Sequence, residues 1–177
     1  MSGELTPAAR ARRVRLLILD IDGVLTDGGI FYDAQGREIK RFDVRDGHGL
    51  KLLMRAGFMV GLVTGRAGEV NRVRAEELGI ELLRQGAKFK LPVVQELARE
   101  VGVGMEEVAY MGDDLIDIPP MRAVGLAMAP ADAIKEVRAL AHWVATRPGG
   151  RGAVREACEF LLKASGKWGR VTERYFS

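Results

Sequence analysis

Leu16-Leu17-Ile18-Leu19-Asp20-Ile21-Asp22-Gly23-Val24-Leu25-Thr26-Asp27-Gly28 is a continuous apolar run closed by an acidic, glycine-bearing turn. That pattern predicts a buried strand of a parallel sheet that opens into a loop at its carboxyl end. Open α/β sheets bind ligands at that edge. Residues two apart on a strand share a face, so Asp20 and Asp22 point toward one site while Ile21 points away. Two carboxylates held together where water is scarce repel each other, which calls for a cation nearby. Gly23 lets the backbone turn sharply and approach a ligand. Asp and Gly are also ordinary turn formers after a strand, and the rest of the chain decides between the two readings.

Downstream of the loop, Ile30-Phe31-Tyr32 and Ile39-Lys40-Arg41-Phe42 flank a polar Asp33-Ala34-Gln35-Gly36 turn. This predicts a hairpin over about 28–44, placed as a flap above the acidic loop or paired with other subunits along its edges. Asp46 is expected to cap a helix running to about Arg55, with Gly57 ending it. Phe58 to Val63 is a second apolar strand, with Thr64-Gly65-Arg66 at its end. Glu81 to Leu83 reads as a third strand and Lys88 to Val101 as a helix, with Pro92 tolerated in its first turn. Val108 to Met111 is a fourth strand, ending at Gly112-Asp113-Asp114, and Pro119 and Pro120 confine the next helix to a short one. Two further strands, Val124–Met128 and Ala141–Val144, are separated by a helix near 132–140. The last helix covers about Ala153 to Ala164. Residues 166–177 read as a polar-aromatic tail, and 1–13 as a loose lead-in or one helical turn. Alternating β and α segments imply right-handed crossovers and an α/β fold: a three-layer, doubly wound, mainly parallel sheet.

The 177 residues, 47% hydrophobic, suit one core and one domain spanning 1–177. Charged residues make up 29% and balance to +3, with no basic run that calls for nucleic acid. A pI near 9.2 gives weak general steering toward anionic substrates. Cys158, the single cysteine, lies on the packed side of an amphipathic helix and reads as a structural thiol. Residues 1–13 lack the apolar core of a signal peptide, and no apolar run approaches a membrane span. The expectation is a soluble, cytoplasmic protein without membrane partners.

The residues that carry chemistry therefore gather at carboxyl ends of strands. They are Asp20 and Asp22 after the first, Thr64 and Gly65 after the second, a lysine near the start of the helix from 88, and Asp113, Asp114 and Asp117 after the fourth. A hydroxyl, an ammonium and free N–H groups suit a phosphoryl group. Oxygen-only acidic ligands suit Mg²⁺. Singly, Thr64 reads as a helix cap and Asp113 or Asp117 as a turn residue; at successive strand ends, coincidence is a poor account.

Asp20-x-Asp22-Gly23, Thr64-Gly65-Arg66, Lys90 and Gly112-Asp113-Asp114-x-x-Asp117 resemble the four signature segments of the haloacid dehalogenase-like (HAD) phosphatase superfamily. The resemblance implies its Rossmann-like fold, with Asp20 as the nucleophile that forms an aspartyl-phosphate and Asp22 as acid and then base. It also implies Thr64, Gly65 and Lys90 around the phosphate, and Mg²⁺ on Asp20, the Asp22 carbonyl and Asp113, with Asp114 and Asp117 close by. Gln85-Gly86-x-x-x-Lys90 matches the family spacing, which favours Lys90 over Lys88.

Within that family, Asp46-Gly47-His48-Gly49 and Gly149-Gly150-Arg151-Gly152-Ala153-Val154-Arg155-Glu156 resemble the cap-less group that hydrolyses 3-deoxy-D-manno-octulosonate (KDO) 8-phosphate, a phosphorylated 2-keto-3-deoxy sugar acid of lipopolysaccharide synthesis. The resemblance implies a homotetramer with central flap hairpins, a neighbour's tail reaching toward the site, and Arg66 as a clamp for the substrate carboxylate. The chain departs from that pattern at His48, which could touch substrate or cap locally, and in the tail carrying Trp168, Tyr175 and Phe176. Phosphatases for a nonulosonate 9-phosphate or another small sugar phosphate are the nearest rivals, and a catalytically idle interaction module is the rival of another class. A P-loop and a dinucleotide fingerprint are absent: Gly166-Lys167 is followed by Trp168, and Gly47-x-Gly49 by Leu52.

Overall fold

The computed structural model describes residues 5–177. Six strands form one parallel sheet in the order β5-β4-β1-β6-β7-β8. These are β1 (Leu16–Leu19), β4 (Met59–Val63), β5 (Leu82–Arg84), β6 (Val108–Met111), β7 (Leu126–Ala129) and β8 (Trp143–Val144). From β1 the chain winds outward to β4 and β5, then crosses back to β6 and proceeds the other way. That reversal leaves a crevice beside the carboxyl end of β1. Leu19 lies in register with Leu62 of β4 and with Met111 of β6, so the loops after all three strands open at one level.

Period-two alternation sorts the core into two layers. Leu17 and Leu19 pack against α2 (Val44–Arg55), α3 (Glu69–Leu78) and α7 (Ala153–Ala164). Leu16 and Ile18 face α4 (Lys90–Glu100), α5 (Ile118–Ala123) and α6 (Lys135–Leu140) on the other side. Cys158 is buried within the first layer.

The hairpin forms, with β2 (Phe31–Tyr32) pairing antiparallel to β3 (Glu38–Ile39). The strands are shorter than the 28–44 segment because Ile30, Phe31, Tyr32 and Ile39 are at least half exposed and have no sheet to pack on. Several details differ from expectation, three of them with a visible physical cause. The helix after β5 begins at Lys90 because Ala87 N–H bonds the Thr64 carbonyl and keeps residues 86–88 in a turn. Asp43, not Asp46, caps α2, its carboxylate accepting from Arg45 N–H at 2.8 Å. The tail is helical, α8 (Trp168–Thr172), and packs on α2 and α7 of its own chain. α1 (Pro7–Ala11) is the short lead-in helix. Among the described residues no helix is long and apolar enough to cross a membrane.

Candidate active site

Asp20 directly follows β1 and is 5% exposed; one oxygen accepts from Ile21 N–H at 2.7 Å and the other lies 2.9 Å from Lys90 Nζ. Lys90 sits at the first position of α4, and its side chain is fully buried. Its ammonium also reaches Asp117 at 2.7 Å. Lys88 is exposed, so of the two lysines only Lys90, the one that the resemblance favoured, reaches the acidic cluster. Thr64 is buried after β4, its hydroxyl oxygen accepting from Arg66 N–H at 3.2 Å while its proton remains available to donate. Gly65 is exposed at the same rim.

Asp20, Asp113 and Asp117 each offer an oxygen within 4.8 Å of the others. Asp117 is fully committed: one oxygen accepts from Lys90 Nζ and from Tyr110 Oη at 2.6 Å, the other from the N–H groups of Asp113 and Asp114. It has no lone pair directed to spare for an ion, and it orients Lys90 and the loop after β6. Asp113 Oδ1, by contrast, is buried with no partner. Gly23 packs against it: with φ of +87° it favours glycine, and a Cβ there would overlap the Asp113 carboxylate. Asp114 is exposed and caps the turn after it, accepting from Leu115 N–H at 2.7 Å.

Burial, with the charge of Asp117 behind it, raises the Asp20 carboxyl to about 6 against the pull of Lys90. Burial and the charges of Asp20 and Asp117 raise Asp113 further, to about 8. Burial works against the Lys90 ammonium, but Asp20 and Asp117 outweigh it and hold its pKa above the usual lysine value. The site thus gathers more carboxyl groups than cations, leaves two buried carboxylate oxygens without a partner, Asp113 Oδ1 and Asp22 Oδ2, and its donors are all oxygens. Asp20 and Asp113, with backbone carbonyl, could hold a hard divalent cation.

Asp22 is 23% exposed, and its Oδ1 lies 2.7 Å from Lys40 Nζ of the flap. Arg66 is bound to the flap as well, to Glu38 at 3.1 Å and to Tyr32 Oη at 3.3 Å. The hairpin therefore does stand over the acidic loop. Lys40 was missed in the sequence, although Glu38 and Lys40 share a face by the same spacing that marks Asp20 and Asp22. Tyr110, a buried strand residue, was missed as the partner of Asp117.

His48 is not brought to the cluster. Arg155 only donates, so its 3.3 Å contact makes His48 Nδ1 the acceptor, and Nε2 then donates to Tyr175 Oη at 3.0 Å. The two places where the chain departs from the family pattern thus touch each other, fastening the tail to α2. Asp46 is buried and reaches across to α7, accepting from Arg155 N–H at 2.8 Å and Gly152 N–H at 3.3 Å. This supports the Gly149-Gly150 turn. Gly150 N–H bonds the Val24 carbonyl at 3.0 Å, and a Cβ at Gly149 would overlap the Gly23 carbonyl. The glycines let that turn lie directly behind the acidic loop.

A family model described as haloacid dehalogenase-like hydrolase matches residues 68–154. Over 159 residues the chain is 46% identical to the 3-deoxy-D-manno-octulosonate 8-phosphate phosphatase KdsC of Escherichia coli strain K12, covering 90% of this chain and 85% of that protein. This chain belongs to the haloacid dehalogenase-like hydrolase family. Solved structures of family members agree in fold. The crystal structure of the KDO 8-phosphate phosphatase from Yersinia pestis matches with a TM-score of 0.89 at 46% identity, over 90% of this chain and 86% of that one. The enzyme from Moraxella catarrhalis, crystallised in complex with magnesium ion, phosphate ion and KDO, matches with a TM-score of 0.93 at 36% identity, over 96% and 97% of the two chains.

Proposed function

We propose that this protein is a Mg²⁺-dependent phosphomonoesterase that hydrolyses KDO 8-phosphate to KDO and phosphate through an aspartyl-phosphate on Asp20. The observation that carries the reading is the 46% identity to KdsC across 90% of the chain. The orphaned Asp113 oxygen and the surplus of carboxyl groups are its physical counterpart. Asp20, the Asp22 carbonyl and Asp113 would hold the ion, with Asp114 and Asp117 beside it. When bound, Mg²⁺ offsets the negative charge of the incoming phosphoryl group and polarises it.

Asp20 attacks phosphorus and the ester P–O bond breaks, while the Asp22 carboxyl gives its proton to the leaving alkoxide. Asp22, now a carboxylate, then takes a proton from the water that hydrolyses the aspartyl-phosphate, restoring both groups. Lys90, locked by Asp117, and the Thr64 hydroxyl with Gly65 N–H hold the phosphoryl oxygens in place. Arg66, tethered to the flap, clamps the substrate carboxylate through its planar fork of donors. The chain works as one cap-less domain in the cytoplasm. The exposed apolar residues of the flap support its self-association, as a homotetramer.

Phosphate release from KDO 8-phosphate, measured with and without chelator, tests the reading. Activity is expected to require Mg²⁺ and to fall by roughly 10⁴-fold or more in Asp20→Asn. Turnover that survives Asp20→Asn would contradict the covalent scheme. A panel of other sugar phosphates, a nonulosonate 9-phosphate included, tests the substrate, and a preference for neutral sugars would contradict the Arg66 clamp.

A further inference from the structure

The two oxygens of the Asp22 carboxylate have unlike surroundings. Oδ1 is paired with Lys40 Nζ at 2.7 Å, while Oδ2 is buried and has no partner. Lys40 follows β3 of the flap, and its side chain is 1% exposed. A lysine is almost never so deeply buried unless its ammonium is paired. Here Nζ also donates to Asn71 Oδ1 at 3.0 Å, and Glu38 stands 4.0 Å away. Asn71, itself fully buried, is fixed by donating to Gln85 Oε1 at 2.9 Å. A chain of polar contacts thus runs from α3 through the flap lysine to a single oxygen of Asp22.

We infer that Lys40 is a positioning residue for proton delivery: by gripping Oδ1 it holds the Asp22 carboxyl so that Oδ2 faces the leaving-group oxygen. The inference rests on the proposed phosphatase reading and extends it to a residue of the flap. Its consequence is selective. A sugar alkoxide needs the proton that Asp22 supplies as the P–O bond breaks, whereas p-nitrophenolate leaves readily without one. In a double displacement kcat/KM covers the steps through transfer to Asp20, so it isolates this difference from the later hydrolysis.

The experiment compares kcat/KM for KDO 8-phosphate and for p-nitrophenyl phosphate in wild type, Lys40→Met, Lys40→Arg and Asn71→Ala. Both substrates are assayed on each preparation, so any misfolded fraction cancels in their ratio. In Lys40→Met the sugar phosphate value should fall by about 100-fold and the aryl phosphate value by no more than about tenfold, shifting the ratio by about tenfold or more. Asn71→Ala should shift the ratio the same way by a smaller factor, and Lys40→Arg should recover most of it. Equal losses on the two substrates, or a larger loss on the aryl phosphate, would overturn the role of Lys40 and leave the phosphatase reading standing. A wild-type protein that releases phosphate from neither substrate would overturn both.

Discussion

Asp113 and Asp117 lie four residues apart in one loop, yet they occupy opposite electrostatic situations. Asp117 accepts from four donors, two on each oxygen. Asp113 keeps a buried oxygen with none, and its carboxyl is pushed up to about 8, first by burial. A buried carboxylate that is fully hydrogen-bonded belongs to the architecture; one left unpartnered beside two others is held for something that arrives. The same contrast separates the two oxygens of Asp22.

The widest gap between the two residues should appear in stability. An amide at position 117 must turn its NH₂ either toward Lys90 and Tyr110 or toward the N–H groups of Asp113 and Asp114, so donors face donors whichever way it flips. Asp117→Asn is therefore expected to cost about 3–5 kcal/mol, the scale of a broken buried ion pair. Asp113→Asn replaces a carboxyl whose ionisation the fold resists with a neutral amide of the same shape, and should leave the metal-free protein as stable as wild type or more so. Urea unfolding in the presence of chelator checks both, and an equal loss in the two variants would dissolve the distinction.

A smaller effect follows from pH. Asp20, at about 6, and Asp113, at about 8, bind protons more tightly in the fold than in the unfolded chain, where carboxyls titrate near 4. Between about pH 4 and pH 8 the folded protein holds the extra protons, so metal-free stability should fall as pH rises through that window. Asp43, held at about 2, chiefly by its side-chain bond to Arg45, titrates below it and does not obscure the trend. Melting curves at pH 5 and pH 8 in chelator should show the drop, and Asp113→Asn should flatten it. A metal-free protein that gains stability over this range would place the surplus charge elsewhere.

Much of this arrangement was legible because it depends on local rules. The period of two suggested the pairing of Asp20 with Asp22, the apolar runs placed the parallel strands, and it was the resemblance to the family spacing after Gln85-Gly86 that favoured Lys90 over Lys88. The same period would have marked Glu38 and Lys40, but a short exposed hairpin offers no apolar contrast to show which face is inward. What escaped depends on residues far apart in sequence. Asp46 reads locally as a cap for its own helix, and nothing in its neighbours shows that it serves Gly152 and Arg155 instead. His48 and Tyr175 are 127 positions apart. The tail helix exists through packing on α2 and α7, which sequence propensity for so short a segment does not supply.

The most direct measurement is Mg²⁺ binding by calorimetry to wild type and to Asp113→Asn at pH 8. One ion per chain is expected on wild type, taken up with release of protons from the carboxyls that burial holds protonated, and at least tenfold weaker binding on the variant. Unchanged affinity in Asp113→Asn, with its fold intact, would mean that the orphaned oxygen is not where the cation sits.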